Sequence, residues 1–163
     1  MTKTLGLIAL AAATLAGCAA TGDMTAGGVA PAAGEAIRYS VSPCYGTCPV
    51  YAVTVLPSGQ VMFDGQEHTA AKGQQEKQAG VAAYRRFAAA LAPYRPMTGI
   101  TAATQCEQQV SDQQGYRIAW IGADGRETVL THDRGCLSPT NRALNTVMDA
   151  APKMLGIGVW IGR

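Results

Sequence analysis

Val50-Tyr51-Ala52-Val53-Thr54-Val55-Leu56-Pro57-Ser58-Gly59-Gln60-Val61-Met62-Phe63-Asp64-Gly65 holds two strand-like runs about a short turn. The first run is β-branched and aromatic, which suits a pleated, half-buried surface. Pro57 pre-sets a turn dihedral and Gly59 supplies a left-handed one. The second run returns, so residues 50–66 are a predicted β-hairpin. Upstream, Arg38-Tyr39-Ser40-Val41 alternates like a further short strand. Downstream, Val81, Tyr84, Ala88 and Leu91 recur at spacings of three and four with Phe87 beside them. That periodicity predicts a helix with Arg85 and Arg86 on its outer face, stopped by Pro93.

The second half repeats the plan. Tyr116-Arg117-Ile118-Ala119-Trp120-Ile121 alternates, Ala123-Asp124-Gly125 turns, and Glu127-Thr128-Val129-Leu130-Thr131 returns. Ser138 is placed to cap a helix with Pro139 at its first position. Leu144, Val147, Met148 and Ala151 form its apolar stripe, and Pro152 is expected to end it. Two hairpin-plus-helix units predict an α+β fold, an antiparallel sheet with both helices packed on one face. The repetition is architectural, with no sequence repeat between the halves. The apolar tail Leu155-Gly156-Ile157-Gly158-Val159-Trp160-Ile161 is too short to span a membrane. It is expected to dock as a last strand or extended segment anchored by Trp160. Its glycines imitate a dinucleotide fingerprint, but no βα unit follows them.

The N-terminus carries a different signal. Lys3 precedes a nearly unbroken apolar run from Leu5 to Leu15, the layout of a secretory signal peptide. The run ends in Leu15-Ala16-Gly17-Cys18, which resembles the lipobox of bacterial lipoproteins. An ordinary signal peptide cut nearby is the alternative, and a cysteine at this one position favours the lipobox. The resemblance implies cleavage before Cys18 and acylation of that cysteine by palmitate-type chains. It also implies sorting to the outer membrane, since Ala19 and Ala20 follow where an inner-membrane retention signal would place Asp. The expected organisation is a signal peptide over 1–17, a lipidated cysteine and linker over 18–36, and one domain over 37–163. The linker is rich in Gly, Ala, Thr and Pro, with little that could pack. A single domain with one modest core fits the length, the 48% hydrophobic content and the low 6% aromatic content.

Charge narrows the partners. Without Lys3 the 13 basic side chains become 12 against 11 acidic ones. So balanced a chain has no long-range field for nucleic acid or for an anionic membrane face.

Four cysteines remain after lipidation: Cys44, Cys48, Cys106 and Cys136. An even number in an oxidising compartment favours two disulfides, and three pairings are possible. Cys106 and Cys136 flank the second hairpin, and Cys44 and Cys48 enclose Tyr45-Gly46-Thr47, so Cys44–Cys48 with Cys106–Cys136 is the favoured set. Chain entropy gives the long loop on the order of 3.7 kcal/mol and the five-residue ring roughly 2 kcal/mol. The long one is a staple for the fold; the short one fixes the shape of a single loop.

Chemistry at these residues competes poorly with structure. Redox-active pairs typically enclose two residues at a helix N-terminus. Here there are three, and Pro49 leads into a strand. A zinc site on the cysteines, aided by His68 or His132, needs thiolates that oxidation would remove. His132-Asp133 beside Cys136 suggests a triad, but no Gly-x-Ser-x-Gly elbow exists and Cys136 is expected to be bonded. His132 is expected in solvent at a strand end. No catalytic residue, metal or cofactor is therefore assigned.

Cys44-Tyr45-Gly46-Thr47-Cys48-Pro49-Val50-Tyr51, followed by Gly59 in a turn and Gly65 after an aromatic strand, resembles a family of bacterial domains of unknown function. Its members carry a Cys-x-Gly-x-Cys-Pro-x-Tyr signature near the start of a small secreted or lipid-anchored domain. The similarity runs over residues 37–163, with Cys106 and Cys136 outside the pattern. It implies a domain type and an envelope setting, with no reaction attached.

The expectation is a non-enzymatic binding or structural module, tethered to the outer membrane by lipid and facing the periplasm. Its partner would be an envelope protein or a cell-wall component. Tyr45, Gly46 and Thr47 form the candidate binding loop. The rival readings are a thiol-redox or metal-handling protein using Cys44 and Cys48, and an inhibitor of an envelope-directed enzyme.

Overall fold

The computed structural model describes residues 34–162, so the expected signal peptide, Cys18 and linker residues 19–33 lie outside the described residues. The chain forms β1 (Ala36–Val41), β2 (Val50–Val55), β3 (Gln60–Glu67), β4 (Gly73–Gln78) and α1 (Val81–Leu91). A 3-10 turn over Ala92–Tyr94 follows. The second half is β5 (Thr101–Ala103), β6 (Gly115–Ile121), β7 (Glu127–Asp133), α2 (Pro139–Leu155) and a single-turn α3 (Gly158–Ile161). The strands join in one sheet of order β4-β3-β2-β1-β6-β7-β5, antiparallel throughout except for β5 beside β7. The fold is thus α+β with a mostly antiparallel sheet.

Register explains which side chains are buried. Tyr39 of β1 lies between Val53 of β2 and Ile118 of β6, and the row continues to Phe63 in β3 and Leu130 in β7. Two residues along, Ile37 aligns with Val55 and Trp120. Both rows are buried together with Phe87 and Leu91 of α1 and Leu144, Met148 and Leu155 of α2. Side chains one residue out of phase point to the opposite face. There stand Arg38, Ser40, Thr54, Asp64, Arg117 and Thr131, a polar surface. Alternation decided the buried face.

The expected hairpins are β2–β3 and β6–β7, and β1 joins them at the centre of the sheet. At the first turn, a Cβ on Gly59 would collide with the Gly80 backbone, and its φ of +83° also demands glycine. Ser138 caps α2, its hydroxyl accepting from the Asn141 N–H at 3.3 Å.

Several expectations need correction. The two units are larger than hairpin plus helix, because β4 and β5 add edge strands. Sequence periodicity missed β4 because Gly73-Gln74-Gln75-Glu76-Lys77-Gln78 has no β-branched or aromatic residue. It is held by its backbone ladder to β3, and a polar, lysine-bearing edge discourages further pairing. Val81 is half-exposed at the first turn of α1, where Ala83 is buried instead. Pro152 does not end α2. It lies buried in the last turn, where its carbonyl accepts from Ile157 N–H at 2.9 Å, and the helix runs on to Leu155. The tail is no strand: Ile157 and Ile161 are buried about the turn of α3. Trp160 does anchor it, with its ring 5.6 Å from Phe63 and its carbonyl accepting from Ala71 N–H.

The linker boundary also shifts. Glu35 and Ala36 were expected to belong to the tether. Instead Ala36 starts β1, and the buried Glu35 pairs with the Arg95 guanidinium at 2.7 Å. The Tyr84 hydroxyl donates to the Glu35 carbonyl at 2.6 Å. Burial first, and the Glu35 charge second, raise the Tyr84 pKa and keep that phenol a donor. No described helix is long and apolar enough to cross a membrane.

Candidate functional site

The strand directions gather the cysteines. The end of β1, the starts of β2 and β6 and the ends of β5 and β7 all lie at one pole of the sheet. The loops leaving those ends carry Cys44, Cys48, Cys106 and Cys136. Cys44 bonds Cys48 with Cα atoms 5.8 Å apart, and Cys106 bonds Cys136 at 5.2 Å. That is the pairing favoured from spacing. No cysteine of the four is left as a thiolate, and Cys48 leads into β2 rather than into a helix. Among the described residues no group of three or more His, Cys, Asp or Glu is placed to hold a metal ion.

The Cys44–Cys48 loop is fixed at its base and bare at its tip. Gly46 takes φ +145°, a left-handed value that favours glycine, and its N–H donates to the Cys44 carbonyl at 3.0 Å. The Tyr45 N–H donates to the Asp112 carbonyl at 3.2 Å, tying the loop to the β5–β6 connection. Gln114, only 7% exposed, donates through Nε2 to the carbonyls of Ser42 (3.0 Å) and Pro49 (2.8 Å). One side chain thus closes the neck of the loop. Sequence reading missed Gln114, since nothing local distinguishes it. The Tyr45 side chain meets little protein and is 90% exposed.

Two depressions lie at this pole. On the polar face of the sheet, a cleft of about 650 Å³ is lined by Ser40, Ser42, Arg117, Thr131, Asp133 and the Cys106–Cys136 bridge, among others. Its charged groups are engaged: Arg117 pairs with Glu127 at 2.7 Å, and Asp133 accepts from Gln109 at 2.6 Å. Against the loop itself, a depression of about 330 Å³ is lined by Cys44, Tyr45, Cys48, Asp112, Gln113, Gln114 and Arg134. Arg134 is held rigidly there. Its guanidinium donates to both Asp149 carboxylate oxygens and, at 2.6 Å, to the Tyr116 hydroxyl. Burial lowers the Arg134 pKa, but the Asp149 bond and the other partners outweigh it and leave a net rise.

His132 is not in solvent, contrary to expectation. It shares a row with Tyr116, whose ring stacks on it at 6.3 Å, and it is 3% exposed. The register turns it toward the helices. The Asn145 amide fixes its tautomer: Nδ2 donates to the Arg134 carbonyl, so Oδ1 must accept from His132 Nε2–H at 2.9 Å. His132 Nδ1 then accepts from the Thr104 hydroxyl at 2.9 Å. Both nitrogens are occupied, which suits a structural histidine rather than a base. Burial dominates and pulls its pKa below the ordinary 6.5.

The sign of the resulting pH dependence follows. The unfolded chain binds a proton at His132 more readily than the fold does, so stability is full above pH 6.5 and falls as pH drops below it. Denaturant midpoints measured from pH 7 to pH 5 should decline, with a shallower slope in His132→Gln. Equal slopes in the two proteins would assign the acid sensitivity elsewhere.

The residues named from sequence fall into three groups. Tyr45, Gly46 and Thr47 occupy the tip of the bonded loop, the four cysteines frame the same pole, and Cys18 lies outside the described residues. No curated protein matches this chain. The family described as Domain of unknown function (DUF6438) matches residues 35–152, from the buried Glu35 to the last turn of α2, and the chain belongs to that family.

Proposed function

We propose that the protein is a non-enzymatic envelope lipoprotein whose domain binds another envelope component through the Cys44–Cys48 loop. The observation that carries this reading is Tyr45, a large aromatic side chain 90% exposed on a loop closed by a disulfide and braced by Gln114. A loop that has lost its freedom binds at lower entropic cost, and an aromatic side chain is a frequent anchor of binding energy. The reading extends to the Cys-x-Gly-x-Cys-Pro-x-Tyr type of domain, and to a lipidated Cys18 holding it at the outer membrane on the periplasmic side.

Two experiments test the two halves of the proposal. Cys18→Ser should abolish incorporation of labelled fatty acid, leave unprocessed precursor and release the protein from the outer-membrane fraction. Unchanged processing in that variant would remove the lipoprotein reading. For the loop, a photo-crosslinking residue at position 45 in intact envelopes should give a discrete adduct. Tyr45→Ala should weaken capture of the trapped component about tenfold or more while moving Tm by less than about 2 °C. A fall in stability without a selective binding loss would make the loop structural.

A further inference from the structure

Arg95, Glu35 and Gly34 stand at one end of β1, and the Cys44–Cys48 loop leaves the other. The six residues of β1 span about 20 Å. The chain therefore enters the domain at one pole and displays Tyr45 at the opposite one. The Glu35–Arg95 pair and the Tyr84 bond fix the start of β1, so the entry point and the Tyr45 loop are held at opposite ends of the domain.

The chemistry of that pole selects an occupant. The exposed Tyr45 lines a depression together with Asp112, Gln113, Gln114 and Arg134, groups that are planar and rich in hydrogen bonds. Arg134 is charge-balanced by Asp149, so an anion would gain little there. A peptide partner would need an apolar channel or a long, receptive strand edge; of the two edge strands that reach this pole, β5 has three residues and β4 is wholly polar and bears a lysine. A pyranose ring offers what fits: a C–H face to lie against Tyr45, and hydroxyl and acetamido groups for the exposed Gln113 amide and the Asp112 carboxylate.

We propose that Tyr45 and the Asp112–Gln114/Arg134 depression form a binding site for an uncharged amino-sugar polysaccharide of the cell wall, at the pole opposite the entry of the chain. This rests on the binding-module reading above and adds the class of ligand.

The test uses the full-length lipidated protein in detergent with two insoluble probes. One is chitin, which carries acetamido sugars and no peptide; the other is cell-wall sacculi stripped of protein, with cellulose as the blank. Retention on both probes and not on cellulose is the expected result. Tyr45→Ala should weaken retention about tenfold, and Tyr45→Phe, which keeps the ring, should stay within about twofold of the parent. Retention on sacculi alone would place recognition on the cell-wall peptide and overturn the assignment. Retention that survives Tyr45→Ala would place the site elsewhere. If neither probe retains the protein while position 45 still crosslinks to an envelope protein, the glycan assignment falls and the binding-module reading stands.

Discussion

Arg95→Met should lower the stability of the domain by about 3–5 kcal/mol, a fall in Tm on the order of 12–20 °C for a domain of this size. The Arg95 and Glu35 side chains are 1% and 6% exposed, so removing the guanidinium leaves a carboxylate in a dry site with its strongest partner gone. Methionine keeps much of the stem that packs near the Trp120 ring, whose centroid lies 5.8 Å from the guanidinium carbon. The loss is then assigned to the charge rather than to a cavity. The double variant Glu35→Leu/Arg95→Met discriminates further. With no buried charge left over, it should recover most of the lost stability. A single-variant cost below about 1 kcal/mol, read by urea unfolding, would mean that water reaches the pair. The same contact holds Glu35 at the start of β1, so its loss should also free the entry of the chain into that strand.

Removing the long disulfide as Cys106→Ala/Cys136→Ala should cost about 3.7 kcal/mol, against roughly 2 kcal/mol for Cys44→Ala/Cys48→Ala. The first bond closes a sequence separation of 30 and the second only 4. Loop entropy grows with the logarithm of that separation. The effect arises mainly in the unfolded chain, because native contacts outlast the bond. Val110 N–H still donates to the Gly135 carbonyl, Leu137 N–H to Gln108, and the Asn141 amide to Gln105. The denaturant midpoint should drop, with a steeper slope as the freed unfolded state exposes more surface. A cost below about 1 kcal/mol would show the unfolded chain already holding these segments together. Binding should rank the two variants in reverse. The short-loop variant loses less stability than the long-loop one but frees Tyr45, so its capture of the position-45 partner should suffer more.

Legibility followed range. β2, β3, β6, β7 and both long helices are written in local periodicity, because each buries a continuous apolar face that repeats every two or every three to four residues. The cysteine pairing was also accessible, since Cys44 and Cys48 sit within one turn and Cys106 and Cys136 bracket one hairpin. Elements with no apolar face of their own, or with a distant partner, were not legible. The polar β4 exists because β3 offers it a backbone ladder, and β5 because β7 does. The helical turn at Trp160 forms because α2 ends at Gly156 against the sheet rather than at Pro152.

The same division runs through the candidate site. Local sequence was enough to mark Tyr45-Gly46-Thr47 as a constrained tip, because a disulfide and flanking prolines act over a few bonds. It gave no hint of Gln114 closing the loop neck across 72 and 65 residues. Nor did it show Asn145 fixing the tautomer of His132, or Glu35 folding into the domain against Arg95. A strand residue's exposure depends on which face the register turns to the helices, and that register is set by pairing between segments far apart in the chain. Apolar periodicity determined the elements of this protein; long-range pairing decided which polar side chains are buried, what each bonds, and that the cysteine loops share the pole opposite the entering chain.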